Sequence, residues 1–243
     1  VTTTRMAVLT AAAVLASCAA PPPPAGPPPQ QRTPQTVRTV SPPPDTSTPP
    51  TPSTPGPPSP AMVTPVTAAD LGSTWRPGCP LDPEDLRLVD LPYLGFDGQN
   101  HRGQLVVHRD LTDRVIAVFD QLYRLGYPIA RMRTVEHYPG ADDELSMRDN
   151  NTSAFNCRDI PGTGSWSYHA YGRAIDVNPL LNPYIDGDGA YQPANAAAFV
   201  DRTRTDPGIL HDGDAAVRAF TDAGWTWGGH WRSPLDYQHF ELP

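Results

Sequence analysis

Within "RDLTDRVIAVFDQLYRLGYP", residues 109–128, the apolar positions Leu111, Val115, Val118, Phe119 and Leu122 recur with the period of a helix. Asp110 is the predicted N-cap, and Gly126 with Pro128 stops the helix. The apolar pattern then changes: "IARMRTVEHY", residues 129–138, reads as a strand, and "RAIDV", residues 173–177, as a short strand with Ile175 and Val177 on one face. "DAAVRAFTDAG" predicts a second helix ending at Gly224, followed by an aromatic strand, "WTWGGHW", and a terminal strand, "YQHFEL". Helices and strands alternate without a βαβ rhythm or an internal repeat. The expectation is an α+β domain with a small antiparallel sheet flanked by helices.

Ahead of this domain the periodicity disappears. More than half of the 32 prolines precede residue 66, in runs such as "PPPPAGPPP" and "SPPPDTSTPPTPSTPGPPSP" that offer almost nothing to a core. Residues 19–67 are therefore expected to be a disordered polyproline-type linker, able to reach on the order of 100 Å. Folded character begins near "STWRPGCP", and the domain is placed at residues 68–243. The first 18 residues carry Arg5, a short apolar run over residues 6–16, and "LASC" ending at Cys18. This is an export signal whose end resembles a bacterial lipobox, with Cys18 as the lipidated residue; the plainer alternative is a secretory signal in which Cys18 is incidental. Either way the chain is expected to leave the cytoplasm, anchored by lipid to the outer face of the membrane or secreted into the wall.

Charge narrows the partners. The 18 basic residues are all arginine and the formal net charge is −8, without the clustered cations that hold a phosphate backbone, so no nucleic-acid partner is expected. An exported chain meets an oxidising compartment, where Cys79 and Cys157 are expected to form a disulfide. A pair of zinc ligands is the alternative, but no CxxC spacing supports it.

The chemistry concentrates in "SWSYHAYGRAIDVNP", residues 165–179. In a strand over 173–177, Gly172, Ala174 and Asp176 share the face opposite Ile175 and Val177, a face bare except for the carboxylate. His169, at the strand's entrance, can fold back over it. Two ligands with small residues between them suit a metal ion, and a catalytic zinc takes a third protein ligand and leaves a position open. His239 in "DYQHFELP" is the best third donor. Asp236, three residues earlier, can hold a water and accept its proton, although strict alternation places 236 and 239 on opposite faces, so Asp236 is expected on the turn after Pro234.

"SYHAYGRAID" fits the SxHxxGxAxD pattern of the VanY/VanX-type zinc D-alanyl-D-alanine carboxypeptidases, which related L-alanyl-D-glutamate endopeptidases share. "WGGHW" followed by "DYQHFEL" resembles the closing motif of the same enzymes. The resemblance covers about residues 75–243. It implies zinc held by His169, Asp176 and His239, Asp236 as general base, and an LAS/hedgehog-like metallopeptidase fold. It also implies peptidoglycan stem peptides as substrate. VanX-type members carry glutamate where this chain has Asp236, which leaves carboxypeptidase and endopeptidase both open; Glu241 is a second carboxylate for the base. The family's carbonyl-binding arginine has no SGYR-like motif here, leaving Arg158 and Arg148 as candidates. Arg158 is preferred, because a Cys79–Cys157 bond would fix its backbone.

Other features have plainer readings. His101, His108, His137, His211 and His230 are expected to be satisfied polar residues, "DGDG" at 186–189 a turn, and "NNTS" an incidental match to a glycosylation sequon. Ser167 is a candidate for orienting His169. Trp225, Trp227 and Trp231 are divided between core and groove wall. The domain is expected to be monomeric. The alternative function is a noncatalytic, zinc-containing wall-binding lipoprotein.

Overall fold

The computed structural model describes residues 59–243. The signal segment, Cys18 and most of the expected linker lie outside them. In chain order the strands are β1 (Met62–Pro65), β2 (Leu86–Leu94), β3 (Asn100–His108), β4 (Arg131–Met132), β5 (Asn151–Thr152), β6 (Ala174–Asp176), β7 (Tyr184–Ile185), β8 (Tyr191–Gln192), β9 (Thr226–Trp227), β10 (Leu235–Asp236) and β11 (His239–Glu241). The α-helices are α1 (Ala68–Leu71), α2 (Thr112–Arg124), α3 (Asp143–Arg148) and α4 (Ala215–Thr221). They build three small antiparallel sheets, β1-β2-β3, β10-β7-β8 and β6-β11-β9, and one parallel pair, β4-β5. The mixed α+β class is as expected, but the strands divide among several sheets.

The longest hairpin, β2–β3, escaped the pattern reading because Pro92 and Gly103 interrupt its alternation. Gly103 has a packing reason: a Cβ there would fall 2.4 Å from Cβ of Met132 on β4. Strand pairing also starts earlier than residue 68, since β1 lies within the stretch assigned to the linker and runs antiparallel to β2 from Met62↔Asp90 to Pro65↔Arg87.

Helix α2 forms as its pattern predicts, burying Val115, Val118, Phe119 and Leu122, and Gly126 takes φ +69° just past its end. Its start differs. A 3₁₀ turn, Arg109–Leu111, precedes it, and the His108 side chain accepts the Asp110 N–H, so Asp110 is capped rather than capping. The strand expected over 129–138 is only β4, followed by a 3₁₀ turn at Val135–His137. The aromatic strand is likewise only β9, because Gly228–His230 turns.

The larger of two core clusters unites these pieces. Val115, Val118, Phe119 and Leu122 of α2 and Val217 and Phe220 of α4 pack with Val89, Leu91, Leu105 and Val107 of the β2–β3 hairpin. Ile175 of β6 and Phe240 of β11 complete it, with Phe240 stacked on Phe220 at 3.9 Å between ring centroids. Alternation then turns Asp176 and His239 to the opposite face of the same strands.

Gly172 was expected to clear space for an ion. It instead lies against the hairpin: its carbonyl accepts the His108 N–H at 2.9 Å, and a Cβ on it would sit 2.6 Å from that nitrogen. Its φ of +62° adds a left-handed requirement. Gly172→Ala is expected to destabilise the protein by about 1–3 kcal/mol or more, read from denaturant unfolding; an unchanged midpoint would mean that β3 gives way freely.

Candidate metal centre

β6 and β11 pair antiparallel with Asp176 opposite His239 and Ala174 opposite Glu241. His169 arrives from a 3₁₀ turn, Tyr168–Tyr171, that Ser167 caps by accepting the His169 backbone N–H at 3.3 Å. Ser167 thus fixes the backbone of His169 and not its ring. The three side chains meet at close range. Nδ1 of His239 is 3.0 Å from Oδ1 of Asp176, Nε2 of His169 is 3.2 Å from Oδ2, and the two ring nitrogens are 3.2 Å apart. All three residues are buried, and one donor atom from each lies within 4.8 Å of the others, a possible metal site.

The outer nitrogens decide what the inner ones can do. Nδ1 of His169 is 2.5 Å from the Ala154 carbonyl, an oxygen that only accepts, so Nδ1–H donates to it. Nε2 of His239 similarly donates to Oε2 of Glu241 at 3.1 Å. In the neutral rings both inner nitrogens therefore carry lone pairs, pointed at each other and at a carboxylate. Only a proton or a cation between them makes that arrangement favourable. Two imidazoles, each oriented from behind, and a carboxylate between them make a donor set that fits a three-ligand metal site.

The charges agree. Burial acts against a charged His239, but hydrogen bonds to Asp176 and Glu241 and the Asp176 charge outweigh it, raising its pKa to about 10 in the metal-free protein. Burial would raise Asp176, yet the charges and hydrogen bonds of His169 and His239 hold it well below the usual carboxylate range. A proton held by His239 next to Asp176 would take the place of a cation.

Asp236 reaches the same cluster by a route that the alternation rule did not anticipate. It is not on a turn: it lies in β10, opposite Tyr184 of β7, and the chain changes sheet across Tyr237 and Gln238 before β11 begins. That break lets 236 and 239 serve one site. Desolvation raises the Asp236 pKa to about 6, with His239, Asp176, His169 and Arg158 acting on its charge, and its buried Oδ1 has no hydrogen-bond partner. The Gly228 turn abuts it so closely that a Cβ there would fall 2.5 Å from the Asp236 carbonyl oxygen.

Of the two arginines, Arg158 approaches the site. It pairs with Asp143 at 2.8 Å, is acted on by the charges of Asp176 and Asp236, and keeps a buried Nε without a partner. Arg148 ends α3 exposed, with its carbonyl accepting from Asn195. The Cys79–Cys157 disulfide is present one residue before Arg158, and Cys157 is further held by its N–H to Thr74 and its carbonyl to Arg76.

The remaining histidines are engaged elsewhere: His101 with Asp97, His108 with Asp110, His137 with Thr134, His211 with Asp214 and His230 with Asp212. Asn151 of "NNTS" is fully buried and bonded to Arg133, and Asp186 of "DGDG" accepts two backbone N–H groups of the β7–β8 turn. Trp225 and Trp227 are core residues, whereas half-buried Trp231 lies 5.5 Å from the His239 ring and forms part of the site's wall.

Residues 161–242 match the model of a D-alanyl-D-alanine carboxypeptidase family, and this segment contains His169, Asp176, Asp236 and His239. The match supports the VanY-type resemblance of the two motifs, and with it a carboxypeptidase-like peptidase. No curated protein and no solved structure matches the chain.

Because a proton on His239 competes with a cation, divalent-metal affinity is expected to rise with pH by up to about tenfold per unit until the ring's pKa of about 10 is approached. Calorimetric titrations at pH 7 in buffers of different ionisation enthalpy should register about one proton released per metal. Affinity independent of pH would contradict the proton's placement.

Proposed function

We propose that the protein is a zinc-dependent peptidase that hydrolyses peptidoglycan stem peptides, as a D,D-carboxypeptidase or an L-alanyl-D-glutamate-type endopeptidase, in remodelling of the cell wall. The observation that carries this reading is the convergence of His169, Asp176 and His239, with both outer ring nitrogens already bonded. These three residues would hold the ion. When bound, zinc supplies the Lewis acidity that lowers the pKa of a water toward neutrality.

The protein's own groups do the rest. Asp236, ionised, accepts the proton of the attacking water through its unpartnered Oδ1 and delivers it to the departing amine. Arg158 is the group for the scissile carbonyl: its buried, free Nε–H can donate to the oxygen as negative charge develops there, while Asp143 holds the guanidinium in place. Glu241 is not the base in this scheme, because its carboxylate lies behind the His239 ring, across from Asp176. Trp231 gives the peptide an aromatic wall beside His239.

The export signal and lipobox-like "LASC" support placement outside the cytoplasmic membrane, anchored through Cys18, with the proline-rich segment as a spacer into the wall. A noncatalytic wall-binding role has less support. Such a protein would have no use for a raised, unpartnered carboxylate and a free arginine donor beside the ligands.

Asp236→Ala is expected to lower hydrolysis of purified muropeptides by about 10²–10⁴-fold while stoichiometric zinc remains bound; retained turnover would remove Asp236 from its role. For the wild type, activity should fall as acid protonates Asp236. The acid limb should lie at or below about pH 6, because a bound cation favours the ionised form. Rates unchanged well below that pH would contradict Asp236 as base.

A further inference from the structure

Glu241 has a second possible place in the site, and the strand register defines it. It follows His239 by two residues on β11, so both side chains leave the same face. Directly across from it on β6 stands Ala174, whose single methyl group leaves the carboxylate free to lean along the strand toward His239. The result is the 3.1 Å contact between Oε2 and Nε2, with the Glu241 side chain only 17% exposed.

We infer that Glu241 is the positioning residue of the metal centre: it holds His239 in the Nε2–H tautomer and fixes the ring's angle, so that the Nδ1 lone pair faces Asp176 and His169. This inference rests on the zinc reading above. It gives Ala174 a function other than clearing room for the ion, and makes the β6–β11 register a two-tier device, with Asp176 and His239 as the ligand tier and Ala174 and Glu241 as the tier behind it. His169 is served differently, by the Ala154 carbonyl. A backbone acceptor fixes direction but carries no full charge, whereas Glu241 adds an anion that raises the basicity of its ring. The two histidines should therefore differ in how far a side-chain change can weaken them.

The test is zinc affinity of the full chain, measured by competition with a chromophoric chelator, together with the visible spectrum of the cobalt(II) form. Glu241→Ala is expected to bind zinc about 10–100-fold more weakly and to alter the cobalt bands. Glu241→Gln, whose amide oxygen still accepts from Nε2–H, should recover most of the affinity and the wild-type bands. Zinc affinity unchanged in Glu241→Ala would overturn the inference while leaving the metal site standing. A wild type that takes up no zinc would overturn both. Should Glu241→Ala fail to fold, the zinc-loaded wild type still decides the matter: long-range ¹H–¹⁵N spectra should find His239 protonated on Nε2 and bare of hydrogen on Nδ1, and the reverse tautomer would overturn the assignment.

Discussion

The cross-strand pairing of Asp176 with His239 is the contact on which the rest of the site depends. Two three-residue strands are too short to be stable alone, and they persist because their other face, Ile175 and Phe240, is locked into the core between α2, α4 and the β2–β3 hairpin. The apolar face therefore fixes the register of the polar one. A slip of β11 by one residue would turn His239 into the core and expose Phe240 on the face that Asp176 occupies.

Burying two imidazoles and a carboxylate in van der Waals proximity is unfavourable unless their charges are balanced. The fold sets up that balance by bonding the far side of each ring, to Ala154 and to Glu241, and leaving the near sides to share a single positive species. Asp236 stands next to this balanced cluster with one oxygen unmatched, and Arg158 with one N–H unmatched. Unsatisfied buried groups are rare in folded proteins. Here an acceptor and a donor flank the cluster, and in the function proposed above a water and a peptide carbonyl meet them. Around them the disulfide and the Thr74 and Arg76 contacts hold the chain beside Arg158, so the segment entering the site is fixed from outside the matched region.

The candidate ligands were legible because a metal site repeats residue types at fixed spacing, and two such spacings stand in "SYHAYGRAID" and "DYQHFEL". Helix α2 was legible because thirteen residues carry more than three turns of one-sided apolar pattern. The strands that build the site have two or three residues each, below the length at which alternation can be recognised. For the same reason the exchange of sheets between Asp236 and His239 left no trace in the pattern, and the expected turn proved to be a strand. Gly172 was singled out correctly as small but given the wrong reason, since what crowds it, the backbone of His108, lies far away in sequence. The Ala154 carbonyl had no signature at all, because any residue supplies one.

All of this rests on a cation occupying the space that the two inner nitrogens and the Asp176 carboxylate define. Anomalous diffraction at the zinc edge, from crystals of the zinc-loaded protein, addresses it most directly. The account predicts one strong peak bonded to Nε2 of His169, Nδ1 of His239 and Asp176. A peak elsewhere, or stoichiometric zinc bound through the opposite nitrogen of either ring, would contradict it.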